Sequence, residues 1–245
     1  MNPWESVDYD TAVLIPHTDS VYFAWVNSLL RLHIPQPAFF TFQSGMTIDQ
    51  ARELAVDTAM STPHYNKLFL MALKNRKKYM EKFKTKDDSV EYAIDSGAKY
   101  IFFLDSDVAV EPDAIYNLKS AKYPIVSGVY YKKVNEKITN LYMFSRATKD
   151  YSPITSYETP RYLYVDGVGL GITLIETNIF KKLSQPWFEW YHYKKYKHAY
   201  SEDLNFCLKV QNELGIKVLV DTFVKGYHIG VFAKDYEGKI VSTGV

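Results

Sequence analysis

The stretch YIFFLDSDVAVEPDAI, residues 100–115, decides the fold. Tyr100 to Leu104 is a continuous apolar and aromatic run, the pattern of a strand buried on both faces, as strands of a parallel sheet covered by helices are. Asp105 therefore stands at a strand's C-terminal end, with Asp107 one residue further on, before Val108 to Pro112 leads into a helix near Pro112 to Ser120. In open α/β sheets ligands bind outside the carboxyl ends of the strands. Two carboxylates at that edge can hold a divalent cation, directly or through water, and the cation can bridge two phosphates. An isolated Asp-x-Asp reads equally as a turn cap beside a solvated side chain; the buried run before it tips the balance toward a site.

Outward from this stretch the chain alternates strand and helix. Upstream, Thr11 to Ile15 reads as a strand, Val21 to Leu32 as a helix and Ala38 to Phe42 as a strand. Gln43 to Gly45 then lead into a helix near Thr47, where Thr47 and Gln50 have capping-box spacing. Residues of about 60–87 interrupt the alternation with a helical insertion that includes the basic run KNRKKYMEKFKTK, and Asp88 to Gly97 resumes a helix that Gly97 stops. Downstream come a strand at Ile125 to Tyr131, a polar stretch to Pro160, a strand at Tyr162 to Val165, the small-residue segment GVGLGITLI and a helix at Thr177 to Leu183. An aromatic loop follows, then a helix opened by Ser201 and closed by Gly215, a strand from Lys217 to Asp221 and a tail containing His228. The expectation is an α/β fold: one domain over residues 1–245, with a mostly parallel central sheet flanked by helices.

Composition narrows the function classes. With 29 Lys plus Arg against 28 Asp plus Glu, the net charge of +1 gives no general field for nucleic acid, and no nucleic-acid partner is expected. The single cysteine, Cys207, excludes an internal disulfide and a cysteine-based zinc cluster, and fits a reducing compartment. MNPWESVDYD is polar and acidic where a signal peptide is basic and then apolar, and no run approaches the roughly 20 apolar residues that span a bilayer. The expected location is the cytoplasm. Aromatic residues reach 16%, many of them between Trp187 and Tyr200, which suits sugar faces and protein cores alike.

Together these segments resemble the GT-A glycosyltransferases, particularly the large family 2 group. YIFFLDSDVAVEPDAI looks like the family's Asp-x-Asp strand and following helix. The resemblance implies a GT-A sandwich in which IPHTD (15–19) is the first nucleotide-facing loop, with Pro16, His17, Thr18 and Asp19, and IDQARELAV (48–56) presents Arg52 to the donor. SEDLNFCLKVQNELGIKVLVD resembles the acidic-pair helix, which makes Asp203, beside Glu202, the expected catalytic base of an inverting transfer. Ser201 as N-cap, with Glu202 and Asp203 complementing the helix dipole, is a reading compatible with that one. His228 in GYHIG matches the family's late histidine, giving metal ligands Asp105, Asp107 and His228 and an N,O site that suits Mn2+ better than Mg2+ or calcium; a lone histidine is otherwise a surface or core residue. Asp105 and Ser106 are expected on the nucleotide, Asp105 at the ribose or the metal.

VDGVGLG (165–171) looks like the family strand that admits the donor sugar, with Asp166 and Gly167 as contacts, though such glycines also mark bulges and tight packing. Trp187, Trp190 and Tyr191 occupy the place of an acceptor loop, or else cover the core. The basic insertion departs from the family pattern; Lys74, Arg76, Lys77, Lys78, Lys82 and Lys84 either form a solvated face or meet an anionic membrane carrying a lipid-linked acceptor.

The resulting expectation is a metal-dependent glycosyltransferase of the hexosyltransferase class. It takes a UDP- or GDP-linked sugar donor and a glycan, glycoprotein or glycolipid acceptor, with peripheral membrane contact through the insertion as the alternative to a solvated face. The rivals are a catalytically silent sugar-binding scaffold and a haloacid-dehalogenase-type phosphohydrolase; the latter's usual Thr or Val is Ala109 here.

Overall fold

The computed structural model describes residues 10–16, 23–35, 38–43, 86–133, 138–157, 161–193, 198–229, 233–234 and 240–241. His17, Thr18, Asp19, Arg52, the helix expected from Thr47 and all of the basic insertion before Lys86 lie outside the described residues.

The strand, helix and strand expected first are β1 (Thr11–Pro16), α1 (Phe23–Arg31) and β2 (Ala38–Gln43). The next elements are α2 (Lys86–Asp95), β3 (Tyr100–Leu104), the short β4 (Val108–Val110), α3 (Ala114–Ser120) and β5 (Ile125–Val129). The stretch expected to be polar loop contains a hairpin, β6 (Leu141–Ser145) and β7 (Asp150–Pro153). Then follow β8 (Tyr162–Val165), β9 (Gly167–Val168), β10 (Ile172–Glu176) and α4 (Thr177–Lys182). The aromatic loop carries a small hairpin, β11 (Tyr191–Tyr193) with β12 (His198–Tyr200). Ser201 opens α5 (Glu202–Leu214) by accepting from the Leu204 N–H, and Gly215 closes it at φ 70°, as the sequence predicts. β13 (Val218–His228) is more than twice as long as expected, so His228 is the last residue of a strand and not part of a tail; β14 (Ala233–Lys234) and β15 (Ile240–Val241) follow.

The central sheet runs β15-β14-β13-β5-β10-β3-β1-β2, with β4 and β8 also paired to β13. It is mixed, not mostly parallel. Among the described residues its parallel pairings are the three of β1 with β2, β1 with β3 and β5 with β13, against six antiparallel ones. The reversal comes from β10, which enters antiparallel between β3 and β5. A strand buried on both faces is apolar throughout in either direction, so its polarity leaves no mark on the sequence.

Period-2 alternation sends successive residues into two cores. Val13, Ile15, Phe102, Leu104, Val126 and Leu174 meet Trp25, Val26 and Leu29 of α1 and Ile115 and Leu118 of α3 on one face. Ala12, Leu14, Ile101, Phe103, Ile125 and Ile175 meet Val90 of α2, Phe180 of α4 and Phe206 and Val210 of α5 on the other. The architecture is thus helix, sheet, helix in three layers. Because β10 is antiparallel, its start, Ile172, lies beside the C-terminal end of β3, with Gly171 just before it.

Candidate functional site

Asp105 leaves the end of β3 with its backbone N–H donating to the Gly171 carbonyl at 3.2 Å, and the turn closes when Val108 N–H donates to the Asp105 carbonyl at 3.0 Å. Ser106 is buried within this turn. The Asp105 carboxylate lies directly over Gly171: a Cβ there would sit 2.5 Å from Asp105 Oδ2 and 2.9 Å from the Tyr130 hydroxyl. Only glycine admits that approach. Burial pushes the Asp105 carboxyl up to about 7, helped by the negative charges of Asp203, Asp107 and Glu202, although Lys86 pulls the other way.

Lys86, the first residue of α2, is the cation at the centre of this group. Its ammonium donates to Asp203 Oδ1 at 2.6 Å and to Glu202 Oε1 at 3.1 Å, and its side chain is only 13% exposed. Burial alone would lower its proton affinity, but Asp203, Asp105 and Glu202 outweigh that and raise it above the ordinary lysine value. The other oxygen of Asp203, Oδ2, accepts from the Leu170 N–H at 3.1 Å. The expected base therefore sits at the start of α5, tied to both α2 and the segment before β10.

Asp107 turns to other partners. Its Oδ2 accepts from Lys133 Nζ at 2.6 Å and faces His228 Nε2 at 3.4 Å. His228 reaches this place because the end of β13 pairs with β4, in the register His228 opposite Val108, and Ile229 N–H donates to the Asp107 carbonyl at 2.7 Å. His228 Nδ1 lies 3.0 Å from the Tyr131 carbonyl, which can only accept, so Nδ1 carries a proton and Nε2 is the nitrogen left facing the carboxylate. Nε2 and the Asp107 carboxylate thus make a facing N,O pair. Tyr130 stands between the two halves of the site, edge-on to His228 at 5.3 Å and with its hydroxyl near Gly171.

The expected three-ligand metal centre does not assemble. Among the described residues no group of three or more His, Cys, Asp or Glu side chains could hold a metal ion. Asp107 and His228 form an N,O pair, while Asp105 lies against Gly171 on the side of Lys86 and Asp203.

Asp166, Gly167 and Trp187 have partners within the fold. Asp166 is buried and accepts from Phe144 N–H at 3.0 Å and Gln211 Nε2 at 3.2 Å, with Lys217 Nζ 2.8 Å away, so both its oxygens are committed. Gly167 is small for packing: a Cβ would meet Tyr151 at 2.7 Å and Leu204 of α5 at 2.9 Å. Trp187 is core, its indole N–H donating to the Leu183 carbonyl and its ring 5.5 Å from Phe180, whereas Trp190 is 60% exposed. Tyr191 opens β11 and Pro16 ends β1. Lys86, Lys133, Tyr130 and Gly171 were not among the expected site residues. Lys86 is the last lysine of a basic run, and no local signal sets it apart.

Fold and site define an α/β protein with an acidic cluster, countered by two lysines, at the C-terminal edge of a mixed sheet. No family model matches the chain, and no curated protein matches it by sequence. Among solved structures it is similar to the crystal structure of A197 from STIV, with a TM-score of 0.54 and 18% identity over 96% of this chain and 95% of that one, a likeness of fold. No described helix is long and apolar enough to cross a membrane.

Proposed function

We propose that this protein is a metal-dependent glycosyltransferase of the GT-A type, transferring a sugar from a UDP- or GDP-linked donor to an acceptor hydroxyl with inversion. The observation that carries the reading is the pair of neighbouring groups at the end of β3, Asp107 with His228 from β13 and Asp105 within the field of Asp203 from α5. Asp203 and His228 lie about a hundred residues or more from the Asp105–Asp107 pair in sequence, and a cluster of ionisable groups with shifted proton affinities at a sheet edge supports a functional reading.

The pairing of Asp107 with His228 Nε2 fits a borderline divalent cation such as Mn2+, and these two residues would hold it. Bound there, such an ion supplies positive charge against the leaving diphosphate. Asp203 accepts the proton of the acceptor hydroxyl, the acceptor oxygen bonds to the anomeric carbon, and the bond to the nucleoside diphosphate breaks with its electron pair leaving on the phosphate. Trp190, exposed beyond α4, offers a ring face to the acceptor sugar. The acceptor class is a glycan, glycoprotein or glycolipid, at a location in the cytoplasm or against a membrane surface.

Isothermal titration with UDP, GDP and their sugars, with Mn2+ and with chelator, tests the reading when repeated on Asp107→Ala. Binding that needs the metal and disappears in the variant is expected. Absence of any nucleotide binding with Mn2+ present would sink it, and binding without transfer to any acceptor would leave a silent sugar-nucleotide scaffold.

A further inference from the structure

We infer that Lys86 is a positioning residue that holds the Asp203 carboxylate in its working orientation; the inference rests on the role proposed for Asp203. A carboxylate on a helix start can turn about two side-chain torsions. Here one oxygen is fixed by Lys86 at 2.6 Å and the other by the Leu170 N–H at 3.1 Å, which sets the plane of the group and leaves each oxygen one lone pair.

Lys86 is itself held in place. The next residue, Asp87, accepts from the backbone N–H groups of Trp187 at 2.7 Å and Phe188 at 3.3 Å, and Glu91 one turn on accepts from Gln185 at 2.8 Å. The ammonium also lies 5.5 Å from the centre of the Phe188 ring. The start of α2 is thus tied to the aromatic segment on one side and to the acidic start of α5 on the other.

Stability alone does not account for such a lysine. Taking an ammonium and its carboxylates out of water costs about as much as their attraction returns, and apolar packing would serve the fold as well. What apolar packing would not do is fix the direction of a carboxylate. Glu202 shares the ammonium at a longer distance, 3.1 Å, so the stronger restraint falls on Asp203.

The test compares the whole chain with Lys86→Met, Lys86→Arg and, should the methionine variant be insoluble, Lys86→Gln in its place. Protection of the Leu170 amide against hydrogen exchange is followed by NMR, and release of UDP or GDP from UDP-glucose and GDP-mannose with Mn2+ is measured in parallel. The neutral variant is expected to lose Leu170 protection and to drop kcat by roughly 100-fold with KM little changed, the scale of a misplaced catalytic group, with arginine recovering much of the loss. Unchanged Leu170 protection in the neutral variant overturns the inference, and so does a loss expressed only in KM. If the wild-type protein turns over neither sugar nucleotide, the glycosyltransferase reading fails for those donors, and the amide protection alone decides whether Lys86 holds Asp203.

Discussion

Asp107 has the most consequential surroundings of any single residue in the site. Burial works to raise its carboxyl, but His228 and Lys133 outweigh burial and bring it down from 3.8 to about 2. A carboxylate lowered in the folded state stabilises the fold above its unfolded value and ceases to do so as pH falls through its folded value. The stability advantage of the wild-type protein over Asp107→Asn is therefore expected to be constant at neutral pH and to shrink between 3.8 and about 2. Urea denaturation across that window checks it, and a difference that stays flat would mean the partners do not act on Asp107. Asp105 and Asp107 were legible in the sequence because two charges interrupt a buried apolar run. The partners that set their behaviour were not, since Lys86 begins a helix after a basic run and Lys133 lies in the segment after β5, where local sequence says only that they are polar.

At the scale of elements, the small-residue strand is where reading by resemblance and packing diverge. Asp166 joins β6, α5 and the start of β13 through Phe144, Gln211 and Lys217, and Gly167 lets α5 lie close against β9. Asp166→Ala is expected to destabilise the protein by about 1–2 kcal/mol, the cost of taking the acceptor from part-buried donors on β6 and α5, while donor binding stays as in the wild type. Denaturant midpoints together with titration calorimetry separate the two effects; lost binding at unchanged stability would return Asp166 to the donor. The elements expected over the described residues are present with ends shifted by a residue or two; the strands not expected include the β6–β7 and β11–β12 hairpins, β4 and the second half of β13. The β6–β7 hairpin and the end of β13 mix polar and apolar residues on half-exposed surfaces, where local pattern is weak.

For the molecule as a whole, one sheet divides two cores, and adjacent residues of β3 serve different ones: Phe102 packs with α1 and α3, Phe103 with α2, α4 and α5. Phe102→Ala and Phe103→Ala are each expected to cost about 3–5 kcal/mol. Both should lower the midpoint of the same transition, because neither face can unfold and leave β3 in place. Two transitions, each moved by only one of the variants, would show that the faces unfold separately. The sheet also fixes the site, since its C-terminal edge at β3 receives the start of the antiparallel β10 and the far end of β13.

The sequence by itself determined the three-layer α/β class, the position of two carboxylates at a strand end and the capped helix that carries Asp203. These are local matters of period, turn chemistry and caps, written within a few residues of each other. Tertiary structure alone decided the direction of β10, the length of β13 and the company each carboxylate keeps. Strand direction leaves no trace in a fully buried run, and an ion pair between residues 86 and 203 depends on how distant elements pack. That packing gives Lys133 to Asp107 and Lys86 to Asp203 and Glu202, with Asp105 beside Gly171 in the field of the second group.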